Sequence, residues 1–110
     1  MLNNLVIIGK VTNLPWKLEI NDVWSTFEIQ LERPYKDRFG KHVVDNFQIK
    51  IWKEIIKPFL NLLKVNHLVI IRGRLEVNTI EVDKTRKERK LEIIADYLIP
   101  LFNSLKEKEI

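Results

Sequence analysis

Apolar and polar residues alternate along much of the chain with a period of two, and each alternating stretch predicts a strand with one buried and one wet face. Residues 5–12, LVIIGKVT, are β-branched and apolar around Gly9, a position where a barrel strand can bend or admit another backbone. From Trp24 to Arg33, Phe27, Ile29 and Leu31 take the inward parity while Thr26, Glu28 and Gln30 take the outward one. The segment ERPYKDRFGKH carries a proline, a glycine and several basic side chains, which predicts a loop or long hairpin tip. A third strand runs from about Val43 to Trp52, with Phe47, Ile49 and Ile51 inward. In it Trp52 falls on the wet parity with Asn46, Gln48 and Lys50, an unusual place for a large ring.

The period then changes. In residues 54–64, EIIKPFLNLLK, the apolar positions Ile55, Ile56, Phe59, Leu60, Leu62 and Leu63 cluster on one side at helical spacing. Pro58 is tolerable only in a first turn, so regular helix is expected to start late. His67–Val77 reads as a fourth strand broken by Gly73, a charged hairpin tip is expected at Asp83–Lys90, and LEIIADYL at 91–98 as the last strand. Three strands, a helix and two strands make an all-β chain with one helix. That is the element order of the five-stranded oligonucleotide-binding Greek-key barrel, with its helix between strands 3 and 4.

Length and composition narrow the picture. With 110 residues, 45% hydrophobic and 31% charged, one folded domain over residues 1–100 with a short tail at 101–110 is expected. There are no cysteines, which removes disulfides, thiol catalysis and cysteine-ligated metals. The start, MLNNLVIIGKVTNLP, has a short apolar run and no basic leader, so neither a signal peptide nor a membrane span is expected and the cytoplasm is the expected compartment. Lys and Arg number 19 against 15 Asp and Glu, a net charge of +4 that suits a polyanionic partner without requiring one. Two histidines without companions at ligand spacing and three scattered glycines offer no metal site and no phosphate loop, so no catalytic residue, metal or cofactor is expected.

Several segments together resemble the bacterial single-stranded DNA-binding protein family. LNNLVIIGKVTNLP is similar to that family's first strand, STFEIQLERPYKD to its second, IKIWKEIIKPFLNLLK to its strand-to-helix passage, LVIIRGRL to its fourth strand and LEIIADYL to its last. The resemblance covers roughly residues 2–101. It implies base-stacking aromatics at Tyr35 and Trp52, a third platform near Asn46 or Phe47 and a fourth near Ile80, which cannot stack comparably. Basic positions after Gly73 in the family fall on Glu76 and Asn78. The chain ends NSLKEKEI where the family has a flexible linker and an acidic tip, so partner recruitment through such a tip is not expected. Homo-oligomers, tetramer or dimer, are implied.

On this reading aromatic rings stack bases of any identity, about 1–3 kcal/mol each, and neighbouring cations neutralise phosphates. The candidates are Lys10, Trp24, Tyr35, Lys36, Arg38, Lys50, Trp52, Lys53, Arg72, Arg74, Arg86 and Arg89, supported by Lys84, Lys87 and Lys90. The expected function is sequence-tolerant binding and protection of single-stranded DNA in replication, recombination or repair. These contacts do not read the sugar, so RNA is an admissible ligand at this stage. Plainer readings stand beside each residue. Trp52 could close a barrel end beneath the helix; Trp16 and Trp24 could cover a barrel end or an oligomer interface. Phe39 could pack its loop, KTRKERK could be a solvated tip, and Arg72 and Arg74 could pair with Glu28 or Glu76. The alternative functions are a primosome-type adaptor of the same fold and a protein-interaction subunit with little affinity for DNA.

Overall fold

The computed structural model describes residues 1–13 and 23–101. Within them the predicted strands form β1 (Leu5–Asn13), β2 (Trp24–Lys36), β3 (His42–Trp52), β4 (Leu68–Glu81) and β5 (Lys87–Leu101). They close into a barrel in the order β1-β2-β3-β5-β4. All neighbours are antiparallel except β3 and β5, which seal the barrel through the parallel pairs Ile49↔Ile93, Lys50↔Ile94 and Ile51↔Ala95. The inward parity supplies the core. Val11, Phe27, Ile29, Ile49, Ile51, Val69 and Ile71 are all fully or almost fully buried. Each such side chain contributes about 1.5–3 kcal/mol of hydrophobic stabilisation, which fixes the register because a slip of one residue would turn the apolar set outward.

The longest departures from the pattern concern the hairpins. β2 does not stop at Arg33 but runs through Pro34 and Tyr35 to Lys36, with an irregular register between Glu32 and Lys36. A proline has no N–H for the ladder, and a bulge is where a strand can accommodate it. β4 likewise extends to Glu81 and β5 starts at Lys87, so Lys87, Arg89 and Lys90 belong to a paired strand and the tip is confined to 82–86. Cross-strand pairs such as Asn78↔Lys90, Thr79↔Arg89 and Glu81↔Lys87 carry the ladder through residues whose charge suggests a loop.

Gly73 does not break β4. A Cβ placed on it would lie 1.9 Å from the Ile94 carbonyl oxygen, so the glycine is what lets the two backbones approach at the register shift between Arg72 and Gly73.

The expected helix is shorter and earlier. α1 spans Lys53–Ile56, and a 3₁₀ turn follows at Lys57–Phe59 with Pro58 in its first positions. Regular helix therefore precedes the proline instead of following it. Ile56 and Leu63 are buried and Ile55, Phe59 and Leu60 pack against the core, whereas Leu62 is exposed. Trp16 and the tail beyond residue 101 lie outside the described residues.

Candidate nucleic-acid interface

The outward parity of β2 and β3 brings the two tryptophans together. Trp24 and Trp52 are direct cross-strand partners, as are Thr26 and Lys50, Glu28 and Gln48, and Gln30 and Asn46. Trp24 is 41% and Trp52 46% exposed, so Trp52 is not buried beneath α1, which begins at the next residue. The Lys50 ammonium lies 5.0 Å from the centre of the Trp24 ring, a cation–π contact that holds the ring in place.

Beside this pair lies a cleft of about 350 Å³ between the β2–β3 surface and the base of the β4–β5 hairpin. Thr26, Gln48 and Lys50 line one side, and Leu75, Leu91 and Glu92 the other. Lys90 Nζ donates across it to Gln48 Oε1 at 3.4 Å. Of the sequence-predicted platforms, Asn46 and Phe47 both line this cleft, Asn46 on the outward parity and Phe47 half-buried on the inward parity, where it also packs against the core.

The cations of the cleft are already partnered. Lys50 Nζ sits 3.6 Å from Glu92 Oε1, and Asn78 Nδ2 donates both to that oxygen at 2.7 Å and to Glu76 Oε1 at 3.3 Å. Arg74 in turn donates to Glu76 at 2.7 Å and to Asp96. The Asn78 hydrogen bond and then that of Arg74 hold the Glu76 carboxyl below its ordinary range. Arg74 is correspondingly pushed up, first by Asp96 and then by Glu76. A phosphate that approaches Lys50 or Arg74 must displace a carboxylate.

Tyr35 lies further along the β2–β3 hairpin, exposed. Arg33 places its guanidinium in bidentate contact with Asp45 at 2.7 and 2.9 Å and donates from Nη1 to the Tyr35 hydroxyl at 2.9 Å. The same guanidinium lowers the Asp45 pKa through those hydrogen bonds. Lys36 and Arg38 follow at the tip, exposed.

The remaining candidates are dispersed. Lys53 opens α1, its backbone N–H donating to the Val23 carbonyl at 2.8 Å. Lys10 projects outward between Gln30 of β2 and Leu68 of β4. Arg72 lies over the Tyr97 ring at 5.1 Å, on the outer face of β1, β4 and β5, where Val6, Ile8, Leu68 and Ile99 are also exposed. Arg86 is paired with Glu88 at 2.7 Å, and Arg89 faces Thr79 across the hairpin. Sequence reading missed Arg33, Tyr97 and Glu92 as shapers of this surface. Their partners Asp45, Arg72 and Lys50 lie on other strands, so no spacing within one segment announces these contacts. Among the described residues no group of three or more His, Asp or Glu is placed to hold a metal ion, and no helix is long and apolar enough to cross a membrane.

Comparison with known proteins places this surface in context. The sequence pattern of the single-strand binding protein family matches residues 2–101. The chain is 26% identical over 98 residues to a single-stranded DNA-binding protein of Caldanaerobacter subterraneus, and 27% identical over 101 residues to one of Streptococcus mutans. Both alignments cover 87% of this chain, which spans 65% and 60% of those relatives' lengths. Its fold is similar to the Plasmodium falciparum SSB in complex with ssDNA, with a TM-score of 0.71, 23% identity and coverage of 93% of this chain and 96% of that one. It is also similar to a small single-stranded DNA-binding protein from Streptomyces coelicolor, with a TM-score of 0.63, 19% identity and coverage of 94% and 99%. The chain belongs to the single-strand binding protein family.

Proposed function

We propose, with membership of the single-strand binding protein family as the premise, that this chain binds single-stranded DNA with little sequence preference and protects it in replication, recombination or repair. The observation that carries the reading is the Trp24–Trp52 pair, half exposed on the outward face of two adjacent strands and bordered by the cleft. A ring presented this way gives any base a π-face to lie on. Duplex DNA has its bases already stacked and offers the rings nothing. The role is binding, not catalysis, and its setting is the cytoplasm.

Assembly with further copies of the chain is part of the proposal. The outer face of β1, β4 and β5 exposes Val6, Ile8, Leu68, Ile99 and Leu101 around Tyr97, an apolar surface of the kind that oligomers cover.

The test is the anisotropy of a fluorescently labelled oligothymidine titrated with the full chain, against a duplex of the same length. Tight binding of the single strand with weak binding of the duplex supports the reading. Equal or absent binding of both overturns it and transfers the tryptophans to a protein-interaction role.

A further inference from the structure

The β2–β3 hairpin ends in an aromatic residue that the barrel does not use. Phe39 is 72% exposed, yet the tip that carries it is tightly built. The Asp37 carboxylate accepts from the backbone N–H groups of Phe39 at 2.8 Å and Lys41 at 2.9 Å. The Asp37 N–H donates to the Lys41 carbonyl at 2.9 Å, the Gly40 N–H donates to the Asp37 carbonyl at 3.0 Å, and Gly40 takes the positive φ of 76° that closes the turn. These bonds hold the turn without any contribution from the ring. A solvated tip needs no phenyl group, and this one is displayed on a fixed frame.

The surroundings of the ring indicate what it meets. The Arg38 guanidinium lies 4.9 Å from the ring centre, leaving the opposite face of the phenyl group open to a flat partner. Lys36, Arg38 and Lys41 have no carboxylate partner among the described residues, unlike Lys50 in the cleft and Arg74 on β4. The one acid of the tip, Asp37, is committed to the backbone. Unneutralised cations around an exposed ring are the combination that holds a single strand, phosphates to the cations and a base to the π-face.

We infer that Phe39, with Arg38 against its ring, is a further base-stacking platform for single-stranded DNA, at the tip of the hairpin whose base carries Trp24 and Trp52. The inference rests on the proposed function. From Trp24 to Lys36 the strand covers about 40 Å at roughly 3.3 Å per residue. A strand at the 3.4 Å duplex rise needs on the order of 12 nucleotides for that distance. An oligothymidine of about five nucleotides therefore covers the tryptophan pair alone, and one of about thirty covers both.

The experiment measures the affinity of both oligothymidines for the full chain and for Phe39→Ala and Phe39→Tyr. The ring lies outside the core, so both variants fold. The expected result is an unchanged affinity of Phe39→Ala for the short strand, a loss of about fivefold to a hundredfold for the long one, and recovery in Phe39→Tyr. If Phe39→Ala binds the long strand like the wild type while the short strand still binds, the platform is overturned and the single-strand reading stands. A changed oligomeric state in Phe39→Ala with unchanged long-strand affinity assigns the ring to a protein contact and also overturns it. Failure of the wild type to bind either strand removes the proposed function itself, and the platform with it.

Discussion

Trp24 and Trp52 stand opposite each other on neighbouring antiparallel strands, and the ammonium of Lys50, two residues before Trp52, lies 5.0 Å from the Trp24 ring centre. The pair is placed by the same alternation that builds the core. Because Phe27, Ile49 and Ile51 must face inward, residues 24, 50 and 52 must face outward. The site therefore requires no special loop, and its geometry is as stable as the barrel.

Trp52→Ala and Trp24→Ala are expected to weaken oligothymidine binding by about 1–3 kcal/mol each, since each removes one stacking surface. Both rings are half exposed and outside the core, so circular dichroism and the denaturation midpoint are expected to change little. A titration showing undiminished affinity in both variants contradicts the stacking role.

Glu92 competes with phosphate for Lys50. Glu92→Gln is expected to raise affinity up to about fivefold, the release of one half-buried ion pair, and to steepen the plot of log affinity against log salt by up to roughly 0.7. Lys50→Gln shifts that slope the opposite way by a similar amount. Arg74, held between Glu76 and Asp96, is expected to contribute little to the slope, so Arg74→Gln separates a structural cation from a phosphate-binding one. Affinities at several salt concentrations decide between them.

Gly73 and Gly40 differ in kind. Gly73→Ala puts a methyl group 1.9 Å from the Ile94 carbonyl oxygen and must shift one backbone, an overpacking cost of roughly 3 kcal/mol. Gly40→Ala meets nothing within 4 Å and bears only the cost of a positive φ, roughly 1–2 kcal/mol. Urea denaturation of the two variants should show Gly73→Ala as the less stable.

Acid should weaken the hairpins before the barrel. Asp45 and Glu76 are held below their ordinary values of 3.8 and 4.5 by Arg33 and by Asn78 with Arg74. A carboxylate whose folded pKa is lowered stabilises fully above its unfolded value and loses that contribution as pH falls through the folded one. The urea midpoint is therefore expected to hold at about pH 6 and to decline from about pH 4.5 toward pH 2, less steeply in Asp45→Asn. An unchanged decline in that variant contradicts the role given to the Arg33–Asp45 pair.

How much of this was legible in the sequence differs by element. Period-two alternation over residues 24–33 and 43–52 gave the parity of Trp24, Lys50 and Trp52, because burial of one face dictates the other. The same logic failed at residues 34–36 and 87–90, where proline and a run of cations suggested loops. There cross-strand pairing overrode local preference, and the ladder continued out of the barrel. The helix was overestimated because Ile55, Ile56 and Phe59 satisfy helical spacing in a single α-turn followed by a 3₁₀ turn. The pairing of Lys50 with Glu92 was beyond reach, since it depends on the parallel β3–β5 closure between residues far apart in the chain. That closure also decides which predicted cations are free.

The most direct test of the central claim is tryptophan fluorescence in a Trp16→Phe background, leaving Trp24 and Trp52 as reporters, titrated with oligothymidine and with duplex DNA at low and high salt. Strong quenching by the single strand alone, with the midpoint moving to higher DNA concentration as salt rises, is the result predicted for rings that stack on bases beside phosphate-binding cations. Fluorescence unchanged by a single strand that demonstrably binds would place the DNA elsewhere on the barrel and contradict the account.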